Sequence, residues 1–549
     1  MTSRLGEELS RTHSGTTLLL VAFSAAAWMA LRWPLPVWML SDNDWVHQLG
    51  GANQILHGEH PFIDWHTDYG PLRYYPSALA QLVFGGRTLS ELLLVTTAYT
   101  IAYTLLFHLM WVASGSRLIA GAMLLPALIL APRLYKYYVV LGPVVCLWAA
   151  WRDIARPSTR SLALLAAAVT ATGLFRADFG AFAGLAAVVA IGTQSTALAE
   201  RINRMARFLA LVLLFASPWL IWLGVRGGLP TYVADTLLNG PRHATAMALP
   251  FPRYDAARPL AAAPNVTFFL FACFYALPPI TLLAALWPGV CRDVAERRRM
   301  VTAAVLAQAV LVHAAHRSDY THLLQAIAIC FVPCAWLAGQ VLSYRAPSGA
   351  ARGFAAVART ALVGAVVVAL WAGMSVGGFP SPQAGRGLRA WRVHAMQRDA
   401  LLAHLAVEEP DNPLLQAILY IRRCTAPTDH IVALPPFIGA YYFSERSFGG
   451  TQPAWSPGFF STGEDQQRWI ERVRQEQVRL VLGDGSRMLD NRPDRRFANY
   501  SPLITQYVDT AFVAIGRFGP IVVRAPRQSP PWPASGPPPC PDSAGAPPA

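Results

Sequence analysis

Long apolar runs separated by short polar stretches set the pattern of this chain. They lie near 15–33, 90–113, 118–132, 137–151, 161–175, 179–194, 208–225, 266–290, 300–315, 320–342 and 356–376. About 20 apolar residues in a helix cross the hydrocarbon of a bilayer. Eleven candidate spans result, several of them shorter than that, and one pair has the form of a re-entrant element. Arg32 falls at the outer end of the first span, where it could snorkel to the interface. Beyond about residue 377 the pattern changes. A helix is expected from Asn412 to Arg423, a strand at 431–434, a helix over 464–477, a strand at 478–482 and a strand pair over 511–524. Strands alternating with helices imply an α/β unit. Past Arg527 the chain is rich in proline, alanine and serine, including Pro537-Pro538-Pro539, and reads as a disordered tail.

Composition supports the same division. Of 549 residues 54% are hydrophobic and only 14% charged, against about 25% charge in an ordinary soluble domain. The chain is therefore expected to be a polytopic α-helical membrane protein. Its net charge of +14 comes from arginine, Lys136 being the only lysine. In a membrane protein that excess is set by loop topology, and no nucleic-acid partner is expected. With a cytoplasmic N-terminus the inside loops are 114–117, 152–160, 195–207, 291–299 and 343–359, which hold fourteen arginines against four acids. This bias agrees with the alternation of spans. An odd number of spans leaves the C-terminus outside. The first span has features of a signal peptide, with Arg4 and Arg11 before it and Ala25-Ala26-Ala27 within it, but reads as an uncleaved anchor. The expected layout is a transmembrane part over 1–376 with outer loops 41–89 and 227–265, an extracytoplasmic α/β domain over 377–527, and the tail 528–549. Cys424 and Cys540 are the cysteines of the hydrophilic part, and an oxidising compartment would allow them to pair.

Candidate chemistry concentrates in the outer stretch from Ser41 to Pro76. It carries Asp42, Asp44, Glu59, Asp64 and Asp68 with His47, His57, His60 and His66, in a chain otherwise poor in charge. Asp42 and Asp44 follow directly on the first span. A carboxylate there can act as general base toward an acceptor, or bind a divalent cation that steadies a phosphate; the plain alternative is two solvated acids. Arg176-Ala177-Asp178-Phe179 and Arg317-Ser318-Asp319-Tyr320, with His322 following, share Arg-x-Asp and an aromatic. Both fall at outer helix ends, and Arg133 with Lys136 marks a third. Guanidinium groups match phosphate oxygens in bidentate geometry, so a lipid phosphate would account for them. An internal Arg–Asp ion pair is the competing reading. His57 and His60 flank Gly58 and precede Pro61, which predicts a turn and no metal site. Trp45, Trp65, Tyr69, Tyr74 and Tyr75 read as an interfacial belt, or as platforms for a sugar ring.

Together these residues resemble the GT-C superfamily of glycosyltransferases that use polyprenyl-phosphate sugars, which includes protein mannosyltransferases, aminoarabinose transferases and arabinofuranosyltransferases. The resemblance rests on Asp42 and Asp44, on Asp68-Tyr69-Gly70-Pro71, on many spans followed by an outer domain, and on Ala440-Tyr441-Tyr442-Phe443-Ser444-Glu445-Arg446. It implies a GT-C-like membrane domain in a bacterial inner membrane and an inverting transfer from a lipid-linked sugar to an extracytoplasmic acceptor. Asp44 or Asp42 would activate the acceptor. Arg133, Lys136, Arg176 and Arg317, with Asp178, Asp319, His322, Asp68 and Tyr69, would hold the substrate. The chain lacks the Asp-Glu pair that many mannosyltransferases carry here. Some members use a divalent cation and others do not, so the cofactor stays open. A transporter or flippase of lipid-linked saccharide is the alternative. It predicts charges at mid-span and inverted repeats, which the chain does not display.

Overall fold

The computed structural model describes residues 2–41, 43–194, 197–260, 262–343, 390–435, 437–484 and 488–527. Asp42, the span expected at 356–376 and the tail after 527 lie outside them. The chain folds into two compact units, one of Met1–Trp33, Val95–Pro218 and Ala248–Leu388, the other of Pro34–Leu94, Trp219–Met247 and Arg389–Ala549.

The first unit is a bundle of apolar helices. Thr88–Ser114, Leu134–Ala155, Leu198–Val225, Ala263–Leu286 and Val294–His316 are each long and apolar enough to cross a membrane. Tyr320–Ala326 and Ala328–Ser343 form a pair bent by 53°, and Gly15–Leu31, Arg117–Ile129, Thr159–Phe175 and Ala177–Gly192 are shorter apolar helices. These coincide with ten of the spans expected from the sequence, and the bent pair falls on 320–342. Along Leu198–Val225 the side chains of Leu209, Leu213, Leu214 and Ile221 are exposed, a face suited to lipid rather than water. Val294–His316 packs against Ala263–Leu286, Ala177–Gly192 and Tyr137–Ala155. Close backbone approach fixes the turn after Thr159–Phe175. A Cβ on Gly180 would lie 2.4 Å from the Gly173 Cα, so only glycine lets the two helices meet there. Near the other ends of these helices, buried Asp153 accepts hydrogen bonds from Ser161, Gln194 and Arg204, the last at 2.9 Å.

The second unit combines the stretches read as outer loops with the C-terminal residues. Residues 41–89 are largely helical, not irregular: Asn43–Leu56 and Tyr75–Phe84 are helices joined by a folded turn. The C-terminal sheet has five strands, β1 (His430–Ala433), β2 (Ser447–Phe448), β3 (Leu480–Gly483), β4 (Phe512–Phe518) and β5 (Ile521–Pro526), in the order β2-β1-β3-β5-β4. β2, β1 and β3 run parallel, β5 is antiparallel to β3, and β4 pairs with it as a hairpin. The helices Pro413–Cys424 and Gly463–Gln475 agree with the expected α/β unit. The short β2 and the helices Arg398–Glu408 and Pro502–Ala511 are additions to it. Cys424 is disulfide-bonded.

The segment Ala440–Arg446 falls on the buried helix Gly439–Ser444, which packs on Asn43–Leu56 and on the short helix Pro36–Ser41, where a Cβ on Gly439 would strike the Leu40 carbonyl. Arg446, 5% exposed, spends its guanidinium on Thr425 and the Ser444 carbonyl, so its role is structural. Trp45, Trp65 and Tyr74 are buried too, Trp65 against Tyr74 at 5.0 Å. Their rings are enclosed within this unit, so they are not available as an exposed aromatic belt.

Candidate functional site

In the first unit the two Arg-x-Asp turns converge. Arg176 is extended (φ −159°) between the helices Thr159–Phe175 and Ala177–Gly192, so its side chain leaves the end of both. Its Nε donates to Asp178 at 2.8 Å, and Asp178 in turn accepts from the Phe179 backbone N–H at 2.9 Å. Arg317 repeats the arrangement at the end of Val294–His316. Its Nε donates to Asp319 at 3.0 Å, while Asp319 caps the next helix by accepting from the His322 backbone at 2.9 Å. The ion pairs weighed from the sequence are therefore present. A guanidinium has five N–H donors in a planar fork, and the bond from Nε to the carboxylate orients each arginine.

Two histidines join the turns. His313 Nδ1 is 3.5 Å from Asp178 and 3.4 Å from Arg176 Nη2. His322 Nδ1 is 2.8 Å from Asp319. The two rings stand 6.0 Å apart, so Arg176, Asp178, His313, His322, Asp319 and Arg317 form one polar cluster. Burial opposes ionisation of Asp319, but hydrogen bonds from His322 and Thr321 outweigh it and hold the carboxyl well below its usual range. Lys136, 7% exposed, acts electrostatically on His322 from the turn that opens Tyr137–Ala155. Arg133, in contrast, is exposed and donates to the Tyr135 hydroxyl at 2.9 Å. Arg32 lies at the end of its helix. It donates to the Ala131 carbonyl at 3.0 Å and acts on Tyr320. The reading of the sequence missed His313, one of two histidines in the last turn of an apolar helix, four residues before Arg317.

The second unit holds Asp44, in the first turn of Asn43–Leu56. Its side chain is 39% exposed and lies 3.9 Å from Arg73 Nη2, which also donates to the Asp44 carbonyl at 3.3 Å. Arg73 is fully buried and lies 3.5 Å over the Tyr69 ring. Thr67 accepts from the Tyr69 backbone and bonds the Tyr74 hydroxyl at 2.7 Å, and that hydroxyl approaches His47 Nε2 at 3.4 Å. Asp68 is half-buried beside this network and acts on Tyr74. Behind it, Gln48 and Ser77 donate to the buried Glu91. His57 and His60 fall past the helix, as the turn signals predict, and bond the Asn53 carbonyl and the Tyr75 hydroxyl. Among the described residues no three His, Cys, Asp or Glu side chains converge as metal ligands would.

The fold has relatives among solved structures. ArnT from Cupriavidus metallidurans matches in its apo state with a TM-score of 0.50 at 15% identity. In its state bound to undecaprenyl phosphate it matches with a TM-score of 0.51 at 14% identity. Each alignment covers 94% of this chain and 98% of the ArnT chain. No family model and no curated protein sequence matches the chain. The chain is a multi-pass membrane protein with a small C-terminal sheet, and it shares the fold of ArnT.

Proposed function

We propose that this protein is a membrane glycosyltransferase that moves a sugar from a polyprenyl-phosphate donor to an acceptor outside the cytoplasm. The observation that carries the reading is the convergence of two Arg-x-Asp turns, distant in sequence, into one cluster of guanidinium and imidazole groups. The fold likeness to ArnT, one of whose structures is bound to undecaprenyl phosphate, supports the same donor class.

In this account Asp44 accepts the proton of the acceptor. The acceptor atom attacks the anomeric carbon from the face opposite the phosphate. The bond from that carbon to the phosphate oxygen breaks, and the configuration inverts. Charge developing on the departing lipid phosphate is stabilised by Arg176, Arg317, Lys136 and Arg133, fixed donors of the kind that lower such barriers. Asp178 and Asp319 hold the guanidinium planes, and His322 offers a further donor. Arg73 and Tyr69 position Asp44, with Asp68 at the edge of their network; Asp42 is the second candidate base. No step is assigned to a metal. The orientation that goes with this reading places the N-terminus in the cytoplasm of a bacterial cell and the C-terminal α/β domain, 377–527, outside its inner membrane.

The test is transfer of labelled sugar by purified protein from a panel of polyprenyl-phosphate donors, with Asp44→Asn and Asp42→Asn alongside. Transfer that requires one of these aspartates supports the assignment. Binding of the lipid-linked sugar with no transfer by the wild type would favour a transporter instead.

A further inference from the structure

The segment that follows the apolar helix Leu198–Val225 has its polarity reversed. Residues 229–246, all within the second unit, run as one helical rod. It consists of Leu229–Val233, the π-helical turn Ala234–Asn239 and Gly240–Ala246, with right-handed helical backbone at each junction. The inward face is polar. Asp235, 1% exposed, bonds His66 Nδ1 at 3.1 Å and accepts from the Thr67 backbone N–H at 3.3 Å. Asn239 donates to Asp235 at 3.2 Å, and His243 Nδ1 donates to the Pro457 carbonyl at 3.1 Å. Tyr232 completes this face, its ring 4.9 Å from that of Phe62. The outward face carries Val233, Leu237 and Leu238, the last two 63% and 57% exposed. A helix packed on a domain ordinarily turns its apolar stripe toward the core; this one turns it away.

The course of the chain fixes how far this face lies from the bilayer. The apolar part of Leu198–Val225, residues 208–225, is about 27 Å long at 1.5 Å per residue, which matches a hydrocarbon core of about 30 Å. The hydrocarbon therefore ends near Val225. Only Arg226, Gly227 and Gly228 separate it from Leu229, a link that reaches at most roughly 14 Å. The link is docked within the unit, since a Cβ on Gly228 would lie 2.8 Å from the Phe62 carbonyl. The rod thus starts in the headgroup layer. Arg226 precedes it and Arg242 stands four residues after Leu238; both are exposed, and neither forms a side-chain hydrogen bond or ion pair among the described residues. Apolar side chains bracketed by cations match the acyl boundary and the phosphates of an anionic lipid surface. They do not match a second copy of the same face, because a two-fold contact would set arginine against arginine.

We propose that residues 229–246 form an interfacial helix that lies in the membrane surface, with Val233, Leu237 and Leu238 among the acyl chains and Arg226 and Arg242 on the phosphates of anionic phospholipids. The experiment is photocrosslinking of the full chain in nanodiscs of equal phosphatidylcholine and phosphatidylglycerol, with adducts identified by mass spectrometry. The photoreactive residue p-benzoylphenylalanine replaces Leu237. It replaces Leu213, an exposed position of Leu198–Val225, as the lipid-facing control, and Val407, 81% exposed on the helix Arg398–Glu408, as the aqueous one. The expected result is lipid adducts at 237 as at 213 and none at 407. At 237 phosphatidylglycerol should exceed phosphatidylcholine by ~5-fold, the worth of one basic side chain at a charged surface. That preference should fall toward parity when Arg226→Gln and Arg242→Gln are combined. The proposal is overturned if 237 yields no lipid adduct while 213 does, or if 237 crosslinks to a second copy of the chain. It is also overturned if the two lipids react equally in the wild type, or if the double variant keeps the preference. Neither donor nor acceptor is present, so the result is independent of glycosyl transfer.

Discussion

Asp44 opens a helix, whose N-terminal N–H groups favour negative charge, and it faces the Arg73 guanidinium while staying part-exposed. Asp44→Asn keeps the shape and removes the base. Transfer should fall by ~10²–10⁴, the usual worth of a general base, with thermal unfolding in detergent unchanged. A similar fall in unfolding temperature would make the residue structural. His430 and Glu59 give a separate, pH-dependent prediction. His430 Nε2 lies 3.5 Å from Glu59, and that bond raises the His430 pKa above its ordinary value, with Glu476 reinforcing it and Arg472 opposing it. The pair therefore stabilises the unit fully below about pH 6.5, the unperturbed histidine value, and the contribution fades as pH rises through the raised value. Unfolding of wild type and His430→Gln should differ at pH 6 and converge at higher pH; a constant gap would contradict this. At this scale the doubled Arg-x-Asp motif was legible, because the same three positions recur at two helix ends. Its partner His313 was not, since nothing in the sequence says which of His313 and His316 meets the neighbouring turn.

Among the elements, the turn carrying Arg176 depends on two glycines touching. Gly180→Val would drive a side chain into the Gly173 backbone. We expect it to cost at least the ~1–3 kcal/mol of ordinary overpacking and to reduce donor affinity through the displaced Arg176. A variant that unfolds as the wild type does would show that the helices can separate freely. The far ends of the same helices are tied by Asp153. Asp153→Ala leaves Arg204 without that partner, and losing one member of a buried pair costs about 3–5 kcal/mol. Folded yield in detergent should drop sharply, which size-exclusion chromatography reads directly. Apolar spans and the alternating strands could be read in advance because each is a local periodicity. The helices Asn43–Leu56 and Gly439–Ser444 were hidden for the opposite reason: their burial depends on each other across a long sequence separation, and histidines, acids and glycines masked the apolar face.

For the whole molecule, the division into two units is not the division that hydropathy suggests. Residues 34–94 and 219–247 belong with the C-terminal residues, not with the helices that flank them in sequence. Long-range packing decides this, and no window of sequence contains it. What composition did convey was the class of molecule, and the fold likeness to ArnT over 94% of the chain agrees. The central claim is chemical, that the chain cleaves the bond between a sugar and a lipid phosphate. The most direct measurement is ³¹P NMR of a polyprenyl-phosphate sugar incubated with purified protein and an acceptor-containing membrane extract. Conversion of the phosphodiester signal to the phosphomonoester, abolished in Asp44→Asn and slowed in Arg176→Gln and Arg317→Gln, is the predicted result. A phosphodiester signal that stays intact with every donor offered, while the protein still binds the lipid, would contradict the account.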